Sequence, residues 1–415
     1  MDYSYILDEI KPSEKEQKKV ENLTRIFIER LNHQLVAAQA TIGGSFAKNT
    51  WLKDDYDIDI FVLFNKRYDP ETISETLRKK LRNAFLWKSL FFGIKRIPAS
   101  RNYYQMNINN YKFEIVPVLN IKTPEEAKNI MDVSPLHVNW VNSNVKSKNL
   151  GDEIRLTKEF CKACSCYGAE SYIKGFSGYV LEILTIYYGS FEELVKHAIS
   201  WKTQQVIDTK NRKVVRLNES KLSPLIVIDP LQKERNACAA LSTEKFELFK
   251  ETCKNYLKFI KPRSIDTEKV YNEFFVKKLR IPKNAVTLIV KPKKGRDDIV
   301  GTKLLKAFEF LKSNLKEFEI KEANWDWNKK ENKAYFWFVV KKGNIAEYEK
   351  HFGPPITEEE HVKKFKEKWN SNEFFTENKK IYVKLKRKHT EFQDYLNALL
   401  KSPSLKDKAR KIQFS

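Results

Sequence analysis

Long apolar runs are missing from this chain. No stretch approaches the ~18 consecutive apolar residues that a bilayer-spanning helix needs, so no membrane partner is expected. The opening Met1-Asp2-Tyr3-Ser4 is acidic and polar and lacks a signal-peptide core. Cysteine is scarce and odd in number, five in 415 residues, which points to a reduced, cytoplasmic protein rather than a secreted one. Cys161, Cys164 and Cys166 cluster and invite a zinc site, but no matching Cys/His group stands nearby. The segment from Leu156 to Cys164 has helical character, so buried thiols on a helix face are expected instead. Internal repeats are absent, and so are low-complexity tracts apart from the Lys-rich ending.

What remains is a basic, aromatic-bearing globular chain. Hydrophobic residues make up 41% and aromatics 13%, which excludes wholesale disorder, and 415 residues exceed a single core, so two or three domains are expected. Lys and Arg number 77 against 54 Asp and Glu, a formal charge of +23. That excess predicts attraction to a polyanion with strong salt dependence, although charge alone does not separate RNA from DNA. A Lys-rich surface kept for solubility is the competing explanation.

Residues 43 to 63 carry the densest chemistry. Asp57-Ile58-Asp59-Ile60-Phe61-Val62-Leu63 reads as a strand, and alternation puts Asp57 and Asp59 on one side of it. Two carboxylates held so close repel unless a cation lies between them, and Mg²⁺ takes oxygen ligands while leaving room for substrate phosphates. Just upstream, Gly43-Gly44-Ser45 forms a turn whose backbone can approach a ligand and whose amides and hydroxyl can donate to phosphate oxygens. A phosphate-gripping turn followed at short range by Asp-x-Asp on a strand resembles the nucleotidyltransferase superfamily typified by DNA polymerase β. Glu114, amid apolar residues of the strand Tyr111–Val118, is the candidate third metal ligand, since an unpaired carboxylate is costly to bury there.

Along the chain, an amphipathic helix is expected over 14–34, with Val20, Leu23, Ile26, Phe27 and Leu31 on one side and Ser13 as its cap. A strand from Leu35 to Ile42 leads into the glycine turn. A helix over Thr72–Leu86 and strands over Phe91–Ile97 and Tyr103–Ile108 follow, and residues 141–151 read as a connection. Further helices are expected over Asp152–Ser165, Val180–Tyr188 and Thr243–Ile260, with strands over Lys213–Leu217 and Leu225–Ile228. Lys261-Pro262-Arg263-Ser264 reads as a second boundary. The last third has strands at Ala285–Val290, Ala334–Val340 and Ile381–Leu385 with helices near Thr302–Lys312, Glu358–Trp369 and Glu391–Leu400, a separate α+β unit with a small sheet. Its Tyr335, Phe336, Trp337, Phe338 and Tyr382 serve sheet core more readily than base stacking.

Taken together, these elements are similar to the class I, archaeal-type CCA-adding enzymes. The resemblance runs through Phe113-Glu114-Ile115-Val116-Pro117, Ser134-Pro135-Leu136-His137, Tyr167-Gly168-Ala169-Glu170, Gly175-Phe176-Ser177-Gly178-Tyr179, and Asp229-Pro230 with Lys233-Glu234-Arg235-Asn236, in order across roughly residues 30 to 245. It implies an α+β fold: a polymerase β-like nucleotidyltransferase palm over 1–140, a mainly helical nucleotide-binding domain over 141–262, and a C-terminal α+β region over 263–415 that helps hold the acceptor arm and elbow of tRNA. It also implies two Mg²⁺ ions on Asp57, Asp59 and Glu114, triphosphate contacts from Gly44, Ser45, Ser134, His137, Lys158 and Tyr167, and base recognition by Arg235. Taken alone, the Lys-Glu-Arg run would read as a solvated face.

The implied reaction is template-independent addition of C, C and A to tRNA from CTP and ATP. A poly(A) polymerase or oligoadenylate synthetase shares the Gly-Ser and Asp-x-Asp parts, and a non-catalytic RNA-binding protein on the same scaffold is the third alternative. Two departures from the family pattern stand out. Glu114 replaces a more usual aspartate, and Arg101-Asn102-Tyr103-Tyr104 stands where relatives carry His-Pro-Tyr, which suggests a role for Arg101 toward the RNA 3′ end. A homodimer is left open.

Overall fold

The alternation Asp57-Ile58-Asp59-Ile60 builds an inner strand of a five-stranded sheet, and that placement creates the site. The computed structural model describes residues 1–55, 57–85, 93–145, 147–212, 217–261 and 265–415, and these form two compact units, Met1–Lys278 and Leu279–Ser415. The first unit's strands are β1 (Ala38–Ile42), β2 (Asp57–Phe64), β3 (Lys95–Ile97), β4 (Tyr103–Ile108) and β5 (Tyr111–Leu119), in the order β1-β2-β5-β4-β3. Strand β2 runs antiparallel to β1 and parallel to β5, so the sheet is mixed.

Period two decides the faces. Ile58, Ile60 and Val62 are buried against Val20, Phe27 and Leu31 of the helix Glu14–Asn32 and Ile73, Leu77 and Leu81 of the helix Ile73–Ala84. Asp57 and Asp59 therefore occupy the opposite face, where Phe61, Val116 and Val118 pack with Val138. The Ser13 hydroxyl caps the long helix by accepting from the Glu16 amide at 3.2 Å. Ile26 does not join the buried stripe and is 49% exposed, because Val20, Thr24, Phe27 and Leu31 already complete it at the i, i+4, i+7, i+11 spacing. The expected strand from Leu35 begins only at Ala38, after Ala37 turns through a positive φ.

Around a second core pack the helices Lys148–Ala163, Gly178–Tyr188, Phe191–Ala198 and Thr243–Phe259, joined by Ile6 and Ile10 of the helix Ser4–Ile10. Much of the stretch expected as a connection over 141–151 is helical. The helix Ser134–Asn144 buries Val138 and Val141 despite its Asn and Ser residues, and Ser147 caps the next one through the Leu150 amide. Cys161 and Cys166 are buried and Cys164 is half-buried. A small parallel pair, β6 (Gln205–Ile207) and β7 (Leu225–Val227), completes the unit. Of the expected elements, Leu86, Phe91 and Phe92, positions 213–216 of the Lys213–Leu217 strand, and Pro262 to Ser264 of the boundary lie outside the described residues.

The second unit holds β8 (Val286–Pro292), β9 (Ile320–Asn328), β10 (Lys333–Val340), β11 (Tyr348–Pro355), β12 (Phe374–Glu377), β13 (Lys380–Lys386) and β14 (Ala409–Phe414). They form two sheets rather than one, β14-β8-β10-β9 and β11-β13-β12. Phe336 and Phe338 are buried against Leu304, Phe308 and Leu311 of the helix Asp297–Asn314, and Trp337 and Tyr382 are buried as well. Among the described residues no helix is long and apolar enough to cross a membrane.

Candidate active site

Parallel pairing of β2 with β5 sets Asp59 opposite Glu114 and Asp57 opposite Lys112. Lys112 and Glu114 are two apart on one strand, as are Asp57 and Asp59 on the other, so all four charges share the face turned away from the helices Glu14–Asn32 and Ile73–Ala84. The glycine turn packs directly on this face. Gly43 donates its amide to the Asp59 carbonyl at 2.7 Å. Gly44 has φ +58°, and a Cβ there would fall 1.7 Å from Asp59 Oδ2, so only glycine fits beside the carboxylate. Ser45 follows in the short helix Gly44–Ala47.

Electrostatics follow from the crowding. Burial, then the Glu114 charge, push the Asp59 carboxyl up to about 7, with Lys48 opposing. Lys112 Nζ lies 2.9 Å from Asp57 Oδ2 and 3.1 Å from Glu114 Oε1, and Gln105 Nε2 donates to Glu114 Oε1 at 2.8 Å. Burial works against the Lys112 charge, but Glu114 and Asp57 outweigh it and raise the ammonium above its usual range. Among the described residues no three acidic, His or Cys side chains close into a metal cage, and Lys112 holds two of these carboxylates itself. The donor set is nevertheless all oxygen, three carboxylates on one face, with the proton affinity of one of them raised by burial and by Glu114. This suits a hard divalent ion, so the residues fit Mg²⁺.

Next to the carboxylates lies a buried lysine node that the sequence reading missed. Lys158 Nζ donates to Glu182 Oε1 at 2.8 Å, Thr50 Oγ1 at 2.9 Å and the Thr50 carbonyl at 3.2 Å. Lys48 Nζ reaches the other oxygen, Glu182 Oε2, at 2.6 Å, and the Thr50 hydroxyl donates to Oε1 at 2.9 Å. Glu182 is fully buried, yet the two lysines outweigh burial and hold its carboxyl down at about 2. Two lysines share one carboxylate, although burial outweighs Glu182 and pulls the Lys158 ammonium below its usual range. Lys158, expected at the triphosphate, is itself buried and engaged in this node.

A third cluster joins residues far apart in the chain. The Arg235 guanidinium donates to Asp229 Oδ2 at 2.6 Å, His137 Nε2 lies 3.2 Å from the same oxygen, and the arginine and histidine are 3.3 Å apart. The His137 ring lies against Tyr179, centroids 4.3 Å apart, and Lys48 Nζ is 5.9 Å from the Tyr179 centroid. Tyr167 Oη comes so near Gly178 that a Cβ there would lie 2.9 Å away. The first turn of the helix Gly178–Tyr188, capped by Ser177, is thus where Lys158, Tyr167, Lys48 and His137 meet. Ser134 opens the helix that carries His137 one turn later.

Arg101 is elsewhere. It is buried, paired with Asp132 and donating to the Pro117 carbonyl at 3.2 Å, so its guanidinium is engaged in anchoring the sheet. Lys112 could have been found from strand parity alone. Lys48 and Thr50 could not, because no local pattern ties them to Glu182, 134 and 132 residues away.

Three family models match successive parts of the chain. Residues 23–137 match the nucleotidyltransferase domain, 152–265 the second domain of tRNA nucleotidyltransferase, and 284–410 the C-terminal domain of the CCA-adding enzyme. The CCA-adding enzyme of Sulfurisphaera tokodaii is 32% identical over 391 residues, covering 93% of this chain and 88% of the relative. That of Nanoarchaeum equitans is 33% identical over 349 residues, covering 82% of each. Among solved structures, Cid1, described for its RNA terminal uridylyl transferase activity, aligns with TM-score 0.53 at 14% identity over 66% of this chain and 96% of its own. A cytoplasmic RNA terminal U-transferase aligns with TM-score 0.51 at 14% identity over 66% and 97%. At that identity the likeness is one of fold, a polymerase β-like nucleotidyltransferase.

Proposed function

The chain belongs to the CCA-adding enzymes, and on that footing we propose how its own residues build C, C and A onto the 3′ end of tRNA without a template. The observation that carries the proposal is the β2–β5 register, which lines Asp57, Asp59 and Glu114 along one face beside the Gly43–Ser45 turn. In each step the terminal 3′-hydroxyl oxygen attacks the α-phosphorus of CTP or ATP. A phosphodiester bond forms, the α–β anhydride bond breaks, the hydroxyl proton passes to solvent and pyrophosphate departs. Asp57, Asp59 and Glu114 would hold the divalent ions, two Mg²⁺ in this proposal, which when bound lower the pKa of the attacking hydroxyl and offset charge on the pyrophosphate.

Gly44 and Ser45 offer amide and hydroxyl donors beside those carboxylates. The Lys48–Glu182–Lys158 node sets amine donors at a helix N-terminus, which favours an anion there and supports placing the triphosphate between it and the turn. His137 and Tyr167 supply imidazole and hydroxyl donors around the same helix start, and Ser134 opens the helix that carries His137. Arg235, held by Asp229, presents a planar fork suited to a cytosine or adenine edge. The division into a palm to residue 140, a nucleotide-binding domain to 262 and a tRNA-holding C-terminal region is proposed with it, as is a cytoplasmic location beside the tRNA pool. The net charge of +23 supports holding tRNA by shape and phosphate contacts.

Product length tests this. On tRNA lacking its last three nucleotides, addition should proceed through C, C and A and stop. Open-ended A addition to that tRNA or to an oligo(A) primer would instead indicate polyadenylation.

A further inference from the structure

Glu114 is gripped by one of its two oxygens. Strand register sets Gln105 of β4 directly opposite Glu114 of β5, and Glu114 opposite Asp59 of β2, so the three form one row across the sheet. Tyr104 and Met106, the neighbours of Gln105 in β4, are buried in the core under the helices, as are Phe113 and Ile115 on either side of Glu114. Parity therefore turns Gln105 to the carboxylate face, where it is half-buried. Its Nε2 donates to Glu114 Oε1 at 2.8 Å, and Lys112 Nζ lies 3.1 Å from the same oxygen. Neither contact falls on Oε2.

A glutamate has one more side-chain torsion than an aspartate, and the Glu114 side chain is 22% exposed, so without a partner its carboxylate would sample several rotamers. A metal ligand that must first be frozen loses affinity to that ordering. Of the two groups on Oε1, Lys112 is shared with Asp57, and its positive charge opposes a bound cation. The Gln105 carboxamide is neutral. It can donate to one oxygen while the other takes an ion, with no charge to displace. We propose that Gln105 is a positioning residue for the third metal ligand, fixing Glu114 through Oε1 and leaving Oε2 to the divalent ion. The proposal rests on Glu114 being a metal ligand and adds the group that orients it. A cross-strand hydrogen bond that served only sheet stability would act through the fold, whichever acid stood at 114.

The test uses the full chain and Mn²⁺ alone, with the free ion read by paramagnetic resonance. Wild type, Gln105→Met, Gln105→Ala, Glu114→Asp, Glu114→Ala, and Gln105→Met combined with Glu114→Asp are compared, each checked for an unchanged melting curve. Gln105→Met keeps the length and removes the donor, and should weaken Mn²⁺ binding about tenfold, the order for a group that hydrogen-bonds a metal ligand. Gln105→Ala, which also shortens the side chain, should do the same. In nucleotide addition, Gln105→Met should raise the Mg²⁺ concentration for half-maximal rate by a similar factor, with kcat largely recovered at saturating Mg²⁺. Starting from Glu114→Asp, adding Gln105→Met should change Mn²⁺ affinity less than about threefold, because the shorter acid has less freedom to lose and the two positions are coupled. Equal weakening in both backgrounds overturns the positioning role, and so does unchanged affinity in folded Gln105→Met and Gln105→Ala. Unchanged affinity in folded Glu114→Ala would strike first at Glu114 as a metal ligand, and the role of Gln105 would fall with it.

Discussion

Lys112 and Asp57 face each other across the parallel β2–β5 pair, with the ammonium 2.9 Å from the aspartate and 3.1 Å from Glu114. The lysine thus satisfies two of the three carboxylates that would bind metal, and a divalent ion must compete with it. Both ends are partly exposed, so each pair contributes at most ~1 kcal/mol. Lys112→Met should therefore tighten Mn²⁺ binding about three- to tenfold, read by paramagnetic resonance titration of the free ion. The gain should persist at 0.5 M salt, because it comes from contact rather than long-range field. Unchanged or weaker binding would show that Lys112 does not compete.

Asp59 sets a proton-coupled threshold for the same ion. Burial and Glu114 raise its carboxyl from an ordinary 3.8 to about 7, so the metal-free folded protein holds a proton that the unfolded chain has already released. Metal-free stability should fall as pH rises through that window, and metal affinity should climb up to about pH 7 and then level. Asp59→Asn should flatten the stability profile. Thermal unfolding without metal at pH 5 and pH 8, beside calorimetric metal titrations, measures both slopes.

Glu182 has the opposite sign. Its carboxyl is held down at about 2, so its contribution is fully present above roughly pH 4.5 and lost as pH falls toward 2. Glu182→Gln leaves Lys48 and Lys158 without a counter-charge and should cost about 3–5 kcal/mol in urea unfolding at pH 7. Adding Lys158→Met should recover part of that loss. Full stability in the single variant would mean the node is not held by charge.

Arg235 and Asp229 should separate selection from support. Arg235→Ala should raise UTP and GTP misincorporation relative to CTP and ATP about tenfold or more, from lost charged hydrogen bonds to the base. Asp229→Asn should raise KM for both correct nucleotides more than it lowers kcat, because the fork loses its anchor at 2.6 Å. Misincorporation at the wild-type level in Arg235→Ala would remove the arginine from base recognition.

The carboxylate face was legible because strand parity is a local property. Asp57 and Asp59 are two apart, and Glu114 on an apolar strand needed only a neighbour to point toward. Their pairing in parallel register is a tertiary fact, yet it needed no shift of either strand. The lysine node was not legible: Lys48 and Glu182 are 134 residues apart, and each is ordinary in its own window. Nor was the second sheet of the C-terminal unit. Strand β11, Tyr348-Glu349-Lys350-His351-Phe352-Gly353-Pro354-Pro355, mixes charge, glycine and proline, and it pairs only because β13 beside it is apolar on one face. The helix Ser134–Asn144 was hidden for a similar reason, since Asn and Ser favour loops until Val138 and Val141 find a core.

Nucleotide addition by wild type and Asp59→Asn to tRNA lacking its last three nucleotides, with CTP, ATP and Mg²⁺ and with tRNA binding measured on the same samples, tests the central claim most directly. Wild type should add C, C and A and stop, while Asp59→Asn should bind the tRNA with similar affinity and add nothing. Undiminished addition by Asp59→Asn, or addition that does not halt after A, would contradict it.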